Sequence, residues 1–279
     1  MKKNFLKLLA LSVVLGITFS TTSVQAQSTS LKEDAKLVTV YQKSEIKDIN
    51  TLFYRAKNNI NDSYNDSNVA TNSNDPSNEF NSTLSIANNS TRENLNINKD
   101  YSTRQLLKVE KNTTTGEQIN HYAETIIVPM EVNSNNELVA ISPQVIGSIY
   151  DSSYDSSSYC VLTYGTIYYD TVQYSGYNNH TYRALKSVSG GWNILDSSVS
   201  VRNKHVRTVT HGGLMNGSYD TEPEKHFYPT GSTFYYDVSM NYVDIDVAYG
   251  LGMIVTSTVN RGGSSWTATL SVGSFNFWG

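Results

Sequence analysis

Residues 253–272 read MIVTSTVNRGGSSWTATLSV, and the order of apolar and polar side chains in this stretch decides the fold class. The runs 253–259 and 266–272 alternate apolar with small polar residues, which is the period of a β-strand with one buried face. The break Arg261-Gly262-Gly263-Ser264 between them is typical of a turn. The stretch therefore predicts two neighbouring antiparallel strands, each with a wet and a dry side.

The same two-residue period governs the chain from Tyr101 onward. Further runs of this kind predict strands at 105–110, 119–128, 182–188, 192–195, 199–209, 233–238 and 242–249. Gly-containing turns at 114–117 and 189–191 are predicted to join the first four runs into two hairpins. Because no helical pattern separates these short strands, the sequence predicts a mainly β domain at 101–279, an antiparallel sandwich or a barrel-like variant of it.

The first residues have the pattern of a secretory signal peptide. Lys2, Lys3 and Lys7 precede an apolar run at 8–19 and a small-residue patch that ends at Ala26. The apolar run is shorter than the roughly 20 residues that cross a bilayer as a helix. We therefore expect residues 1–26 to be removed and a secreted, extracellular chain without a membrane anchor.

Two different segments are predicted between the signal peptide and the β domain. In the segment 27–60, apolar residues from Ile46 to Ile60 recur at spacings of three and four, which predicts an amphipathic helix with Ser44 as its N-cap. Residues 37–41 fit either the first turns of that helix or a short strand. The segment 61–100 is dominated by Asn, Ser, Asp and Thr, and is predicted to be a disordered linker because it has little apolar surface to bury.

Three motifs in the C-terminal part carry a resemblance to known proteins. They are the hairpin SVSGGW at 187–192, PTGSTFYY at 229–236 and NRGGSSWT at 260–267. From Tyr182 onward the chain resembles a group of small, uncharacterised exported proteins of Gram-positive bacteria. The resemblance implies a secreted β-rich fold and carries over no activity and no functional residue.

Cys160 is the single cysteine of the chain, so it has no partner for an intramolecular disulfide. It precedes a run in which Leu162, Tyr164, Thr166 and Tyr168 alternate with other residues, and this favours a buried thiol over a reactive or intermolecularly paired one. The sequence also lacks the G-x-S-x-G, H-E-x-x-H and Walker signatures. No catalytic residue is predicted, and an exported hydrolase is kept as an alternative.

Three acidic groupings were weighed as metal ligands. Glu222, Glu224 and His226 alternate across Pro223, which favours a solvated loop. The pairs Asp151/Asp155 and Asp244/Asp246 lack the glycine and the bidentate glutamate of a calcium loop. The sequence therefore predicts no metal site and no cofactor.

Tyrosine is the composition signal that departs most from the ordinary, with 20 Tyr against 8 Phe and 3 Trp. Exposed tyrosines offer rigid amphipathic contact area, although aromatic pairs between strands are the commoner use. Tyr159, Tyr169 and Tyr177 are the binding candidates. The pattern leaves open whether Tyr159 and Tyr169 meet solvent or a neighbouring strand.

The charge balance and the candidates together define the expected function. A formal net charge of -4 gives no basic face for nucleic acid. We expect a non-catalytic exported protein that binds an extracellular protein or a glycan, in an oligomeric state that the sequence does not indicate. A β-pore-forming toxin or antimicrobial protein is a third alternative, because residues 249–259 alternate in the manner of a pore strand, although no long amphipathic partner is expected next to them.

Overall fold

The structure is a computed structural model, and it describes residues 37–65, 68–71, 83–88, 94–97, 101–140, 159–174, 180–220, 224–247 and 249–275. The predicted signal peptide and residues Asp151, Asp155, Tyr177, Glu222 and Pro223 lie outside the described residues. Among the described residues, no helix is long and apolar enough to cross a membrane.

Within these ranges the chain forms strands and one short helix, α1 (Ile49–Lys57). The strands are β1 (Leu37–Gln42), β2 (Asp62–Asn65), β3 (Asn68–Thr71), β4 (Thr83–Asn88), β5 (Asn94–Ile97), β6 (Tyr101–Asn112), β7 (Gln118–Val132), β8 (Leu138–Ala140), β9 (Val161–Tyr174), β10 (His180–Ile194), β11 (Val199–Gly213), β12 (Tyr219–Asp220), β13 (Lys225–Phe227), β14 (Thr233–Asp237), β15 (Val243–Asp244), β16 (Gly250–Arg261) and β17 (Ser264–Phe275).

The strands form two large curled sheets that pack as a sandwich. Sheet I has the order β1-β6-β7-β9-β10-β14, with β8 beside β7 and β15 beside β10. Sheet II has the order β12-β11-β16-β17-β4-β5, with β13 beside β11, and β2 pairs with β3 separately. Every strand pair described in register is antiparallel. The prediction of a mainly β, antiparallel sandwich-like fold is confirmed.

The core lies between the two sheets. It is built from alternating residues of both, such as Ile167 and Val188 of sheet I and Val255 and Leu270 of sheet II. Gly165 on β9 shows how closely the sheets approach, because a Cβ there would lie 2.4 Å from Cε of Met253 on β16. Trp192 also bridges the sheets: its Nε1 donates a hydrogen bond to Oγ of Ser257 over 3.0 Å. The alternation that predicted the strands is the alternation that fills this core.

Helix α1 covers part of the outer face of sheet I. Leu52, Phe53 and Ala56 are buried and form a cluster with Tyr101 of β6 and Ile127 of β7. The apolar spacing of the segment correctly indicated this helix, and its apolar side is the side that contacts the sheet.

The predicted N-cap Ser44 is wrong. The cap is Asp48, whose Oδ1 accepts a hydrogen bond from the backbone N–H of Thr51 over 2.8 Å. The N–H of Ile46, two residues before this cap, donates to Oε1 of Gln105 on β6. This contact with a distant strand keeps residue 46 outside the helix, so the helix begins later than Ser44 would have it. Of the two alternatives for residues 37–41, the structure has the strand, which pairs with β6 as β1.

A buried ion pair ties the chain after the helix to sheet I. Nη2 of Arg55 lies 2.9 Å from Oδ1 of Asp62, and both side chains are buried. The other carboxylate oxygen of Asp62 accepts from the N–H of Leu106 on β6 and from Nζ of Lys43. Because these three partners come from separate points of the chain, the segment before residue 62 is part of the sandwich.

The structure also differs from the predicted linker at 61–100 and from the domain boundary at Tyr101. Strand β4, inside that range, pairs with β17, and its Leu84 and Ile86 are 0% and 2% exposed in the core. The apolar residues of this segment alternate with single polar ones, and the edge of β17 supplies the partner that allows a short strand to form. Sheet II is therefore built from both sides of residue 101.

Two strand assignments need correction. The predicted turn at Ser189-Gly190-Gly191 lies inside β10, which runs unbroken through it. The glycines serve close packing instead, because a Cβ on Gly190 would lie 2.5 Å from the carbonyl oxygen of Tyr164 and 2.7 Å from Cζ of Phe234. The predicted strand at 242–249 is reduced to β15, since the carboxylate of Asp244 turns back to accept from the N–H of Asp246.

Candidate functional site

The three tyrosines predicted to bind a partner have different outcomes. Tyr169 is 1% exposed and points into the core, so it offers no surface for a ligand. Tyr159 is half-buried next to Tyr101: burial raises the pKa of the Tyr101 hydroxyl, and the neighbouring Tyr159 adds to the rise. Tyr177 lies outside the described residues. The open question about Tyr169 is therefore answered by packing between strands, since its ring stacks on Tyr122 of β7 at 5.6 Å.

Tyr169 belongs to a charged cluster inside the sandwich. Its hydroxyl donates to Oε2 of Glu124 over 3.2 Å, and the guanidinium of Arg183 lies 5.3 Å from its ring centre. Burial raises the pKa of Glu124 to about 7, although the charges of Arg104 and Arg183 oppose the rise. The cluster joins β6, β7, β9 and β10 through polar groups in an otherwise apolar layer.

Cys160 is buried, as the alternating pattern predicted. Burial raises the pKa of its thiol to about 11, with a smaller opposing effect of the Arg261 charge. A thiol with this pKa is protonated at neutral pH, and the protonated form is a poor nucleophile.

The outer face of sheet I carries a charged network beside the area that α1 covers. Nδ1 of His121 lies 2.6 Å from Oδ1 of Asp170, and its Nε2 lies 2.9 Å from Oε2 of Glu110. The second oxygen of Asp170 accepts from the hydroxyl of Tyr242 and lies 3.4 Å from Nζ of Lys186. Both ring nitrogens of His121 are therefore engaged by carboxylates.

These contacts set the charge states of the network. Burial alone would lower the pKa of His121, but the hydrogen bonds and charges of Asp170 and Glu110 outweigh burial and raise it. Burial would raise the pKa of Asp170, yet the hydrogen bond and charge of His121 lower it. The arrangement stabilises an imidazolium between two carboxylates, which is an ion-pair network and not a free acid or base.

A second histidine on the same face has a free ring nitrogen. His180, the first residue of β10, contacts Asp244 through Nδ1, and Asp246 lies beside them. One ligand atom from each of the three side chains lies within 4.8 Å of the other two. Asp244 and Asp246 stand out as a pair in the sequence, and the structure adds an imidazole that the sequence pattern does not indicate.

On the described residues of β4, β16 and β17, the outward side chains of sheet II carry no charge, and Arg207 of β11 stands beside them, paired with Ile254. The outward residues of these three strands, which we call the hydroxyl face, are Ser85, Ala87, Ile254, Thr256, Thr258, Asn260, Ser265, Thr267, Thr269 and Ser271. All are partly exposed, and all but Ile254 and Ala87 carry a hydroxyl or an amide. Thr256 pairs with Thr269 across β16 and β17, with 3.3 Å between their hydroxyl oxygens.

Three rings stand side by side along one border of the hydroxyl face. His205 of β11, which pairs with Thr256, stacks on Tyr228 at 4.9 Å and on His226 of β13 at 5.2 Å. Burial and the nearby charges of His226 and Arg207 lower the pKa of His205, so its ring is neutral at pH 7. Tyr228 ends the row and is 72% exposed. We call these three residues the ring row.

The acidic motif predicted to be a solvated loop lies next to the ring row. Oε2 of Glu224 is 3.2 Å from Nη1 of Arg207 and 3.6 Å from Nε2 of His226. Both Glu224 and His226 are exposed, as the prediction of a solvated segment requires.

The prediction that residues 249–259 have no long amphipathic neighbour is wrong. Strand β16 does have a long amphipathic neighbour, because β17 pairs with it from Gly250 to Arg261 without interruption. The alternating apolar side chains of both strands lie in the sandwich core, whereas Ile254 lies on the outer face.

Comparison with protein-family models, curated proteins and solved structures finds no match for this chain. The chemistry of the site is therefore inferred from its own residues.

Proposed function

We propose that this chain is an exported, non-catalytic binding protein that holds a neutral glycan on the hydroxyl face of sheet II. The single observation that carries the proposal is an uncharged layer of hydroxyl and amide groups on β4, β16 and β17, bordered by the exposed ring of Tyr228. The signal-peptide pattern of residues 1–26 supports export.

The hydroxyl face matches the chemistry of an uncharged sugar chain. Each hydroxyl both donates and accepts a hydrogen bond, as the hydroxyls of a sugar do. A charged ligand would find no opposite charge on these ten residues and would lose water without compensation. Thr256 and Thr269 on adjacent strands offer paired groups at the spacing of a sheet, which suits a repeating polymer.

The ring row supplies the apolar part of such a site. Sugars present C–H groups on one side of the ring, and an exposed aromatic side chain covers them at little entropy cost. Tyr228 is fixed by stacking on His205, which itself neighbours Thr256 in the sheet. The aromatic and hydroxyl parts are therefore continuous.

Two of the titratable groups support a non-catalytic role. The Cys160 thiol is buried and protonated at neutral pH, and His121 has both nitrogens engaged by Asp170 and Glu110. Glu224 and His226 do meet, but they do so on an exposed surface and within an ion pair with Arg207.

The test is retention of the purified full chain on insoluble polysaccharides. We expect it to bind at least one neutral polymer (cellulose, chitin or mannan) and to pass through acidic pectate. Tyr228→Ala should weaken binding about five-fold, or about 1 kcal/mol, because it removes the stacking surface. Thr256→Asp should abolish binding, because it places a carboxylate in the contact, and a neutral sugar has no charge to pair with it.

Tyr235→Ala is the matched control, since Tyr235 is also exposed, at 57%, but lies on β14 of sheet I. Its binding should equal that of the unchanged chain. The glycan site would be contradicted if the Tyr228→Ala and Thr256→Asp variants were retained as strongly as the unchanged chain. Retention of the unchanged chain on pectate alone would also contradict it. Dye release from liposomes without polysaccharide binding would support the membrane-active alternative instead.

A further inference from the structure

Three potential metal ligands converge where β10 begins, on the sheet opposite to the hydroxyl face. His180 is the first residue of β10, Asp244 is the last residue of β15, and Asp246 lies in the turn that follows β15. Nδ1 of His180 lies 2.5 Å from Oδ2 of Asp244. One potential ligand atom from each of the three side chains lies within 4.8 Å of the other two. Small side-chain movements bring these atoms to about 2.0 to 2.2 Å from one ion.

The backbone orients both carboxylates towards this point. Oδ1 of Asp244 accepts from the N–H of Asp246 over 2.9 Å, and Oδ2 of Asp246 accepts from the N–H of Thr181 over 2.8 Å. Each carboxylate therefore has one oxygen fixed by a backbone donor. Such hydrogen bonds are the outer contacts that position ligands in metal sites. The second oxygen of Asp244 contacts Nδ1 of His180, so an ion bound there displaces the proton that the two groups share.

Strand pairing fixes the distance between the histidine and the two aspartates. Tyr182 pairs with Asp244, and the N–H of Ile245 donates to the carbonyl of Thr181 over 3.0 Å. The three ligands consequently stand on two segments held in register by the sheet, not on one isolated loop. Their burial also differs: Asp244 is buried, His180 is half-buried and Asp246 is exposed, so the point is open to solvent on one side.

From this geometry we propose that His180, Asp244 and Asp246 bind one Zn²⁺ ion. An imidazole nitrogen with two carboxylate oxygens is a ligand set for zinc, whereas calcium and magnesium prefer oxygen ligands throughout. The two carboxylates neutralise the charge of the ion. Three protein ligands leave the fourth tetrahedral position to water.

Zinc at this point links the start of β10 to the segment at 243–246. The ion stabilises the folded chain, because a ligand that binds the native state and not the unfolded chain raises its stability. The site is independent of the proposed glycan site, which lies on sheet II.

The experiment uses the purified full chain after treatment with EDTA and dialysis. Titration calorimetry with ZnCl₂ should show one site, and ZnCl₂ should raise the thermal midpoint. His180→Gln and Asp246→Asn should each weaken binding at least ten-fold, since each removes a ligand. Millimolar CaCl₂ should not displace the zinc.

His226→Gln is the control, because His226 also lies beside a carboxylate, that of Glu224, on the exposed surface. It should bind zinc as the unchanged chain does. The Asp246→Asn side chain keeps an oxygen for the N–H of Thr181, so circular dichroism should show that this variant folds. The absence of heat and midpoint shift in the unchanged chain would overturn the proposal, as would equal affinity in folded His180→Gln or a loss of binding confined to His226→Gln.

Discussion

The polar side chains on the outer faces of the two sheets have different surroundings. On sheet I, α1 covers one area with Phe53, and beside it His121 is locked between two carboxylates. On sheet II, Thr256 and Thr269 meet each other at 3.3 Å and otherwise face outward in a layer without charge. The polar and apolar groups of the first face contact other parts of the chain, whereas those of the second face are partly exposed.

The two faces should therefore contribute differently to the stability of this sandwich. Groups that are buried and paired contribute to the free energy of unfolding, and their loss leaves cavities or uncompensated charges. Groups on a partly exposed polar face contribute little to it and can be changed at small cost. Substitutions that remove similar groups from the two faces should therefore have very different effects on stability.

The largest effect is expected at the covered face. Phe53→Ala should lower the free energy of unfolding by about 3 to 5 kcal/mol, because Phe53 is 5% exposed against Tyr101 and its removal leaves a cavity. Tyr54→Ala, the adjacent residue at 62% exposure, should change it by less than about 0.5 kcal/mol. Urea unfolding followed by circular dichroism measures both. Similar losses in the two variants would mean that α1 does not hold to sheet I through Phe53.

An intermediate effect is expected from pH, through His121. Because its pKa is raised in the folded chain, its stabilising contribution is complete below the unfolded value of 6.5 and disappears as the pH rises through the folded value. His121→Gln removes this contribution. The stability difference between the unchanged chain and the variant should therefore be largest near pH 6 and shrink towards pH 9.

Urea midpoints at a series of pH values measure this difference. Comparing the two chains at each pH cancels the contributions of other titrating groups, such as Glu124. A difference that grows with pH would contradict the ion-pair network.

The smallest effect is expected on the hydroxyl face. Thr267→Ala should lower the free energy of unfolding by less than about 1 kcal/mol, which is the span of strand propensities, since Thr267 is partly exposed and points away from the core. The same urea experiment applies. A loss as large as that of Phe53→Ala would show that this face contributes to folding as much as the covered one, and the comparison between the faces would fail.

The fold class was predictable from local pattern, but the arrangement of the chain was not. The alternation at 253–272 predicted β16, the turn at Gly262 and β17, because both strands have one face in the core. Strand β4 was missed because its Leu84 and Ile86 are single apolar residues among polar ones. Its stability comes from β17, and that partner is distant in sequence.

The candidate sites show the same limit. Alternation divides β9 into two sides but does not say which is buried, and here both are: Tyr169 faces sheet II, while Tyr164 on the other side contacts the cluster below α1. Asp244 and Asp246 were visible as an alternating pair, whereas His180 joins them only through the pairing of β10 with β15. The sequence of β16 shows that one of its sides has no charged residue. That this side continues across β17 and β4 depends on the strand order of sheet II, which the sequence does not give.

The position of β4 has a consequence for how the chain folds. Ile86 pairs with Ala268, so the first strand of sheet II along the chain pairs with its last strand. Pairings between such distant residues are slow to form, because a long loop must close before the contact stabilises it. Sheet II is therefore completed only after residues 264–275 have been made, because β4 has no pairing partner on that side before them.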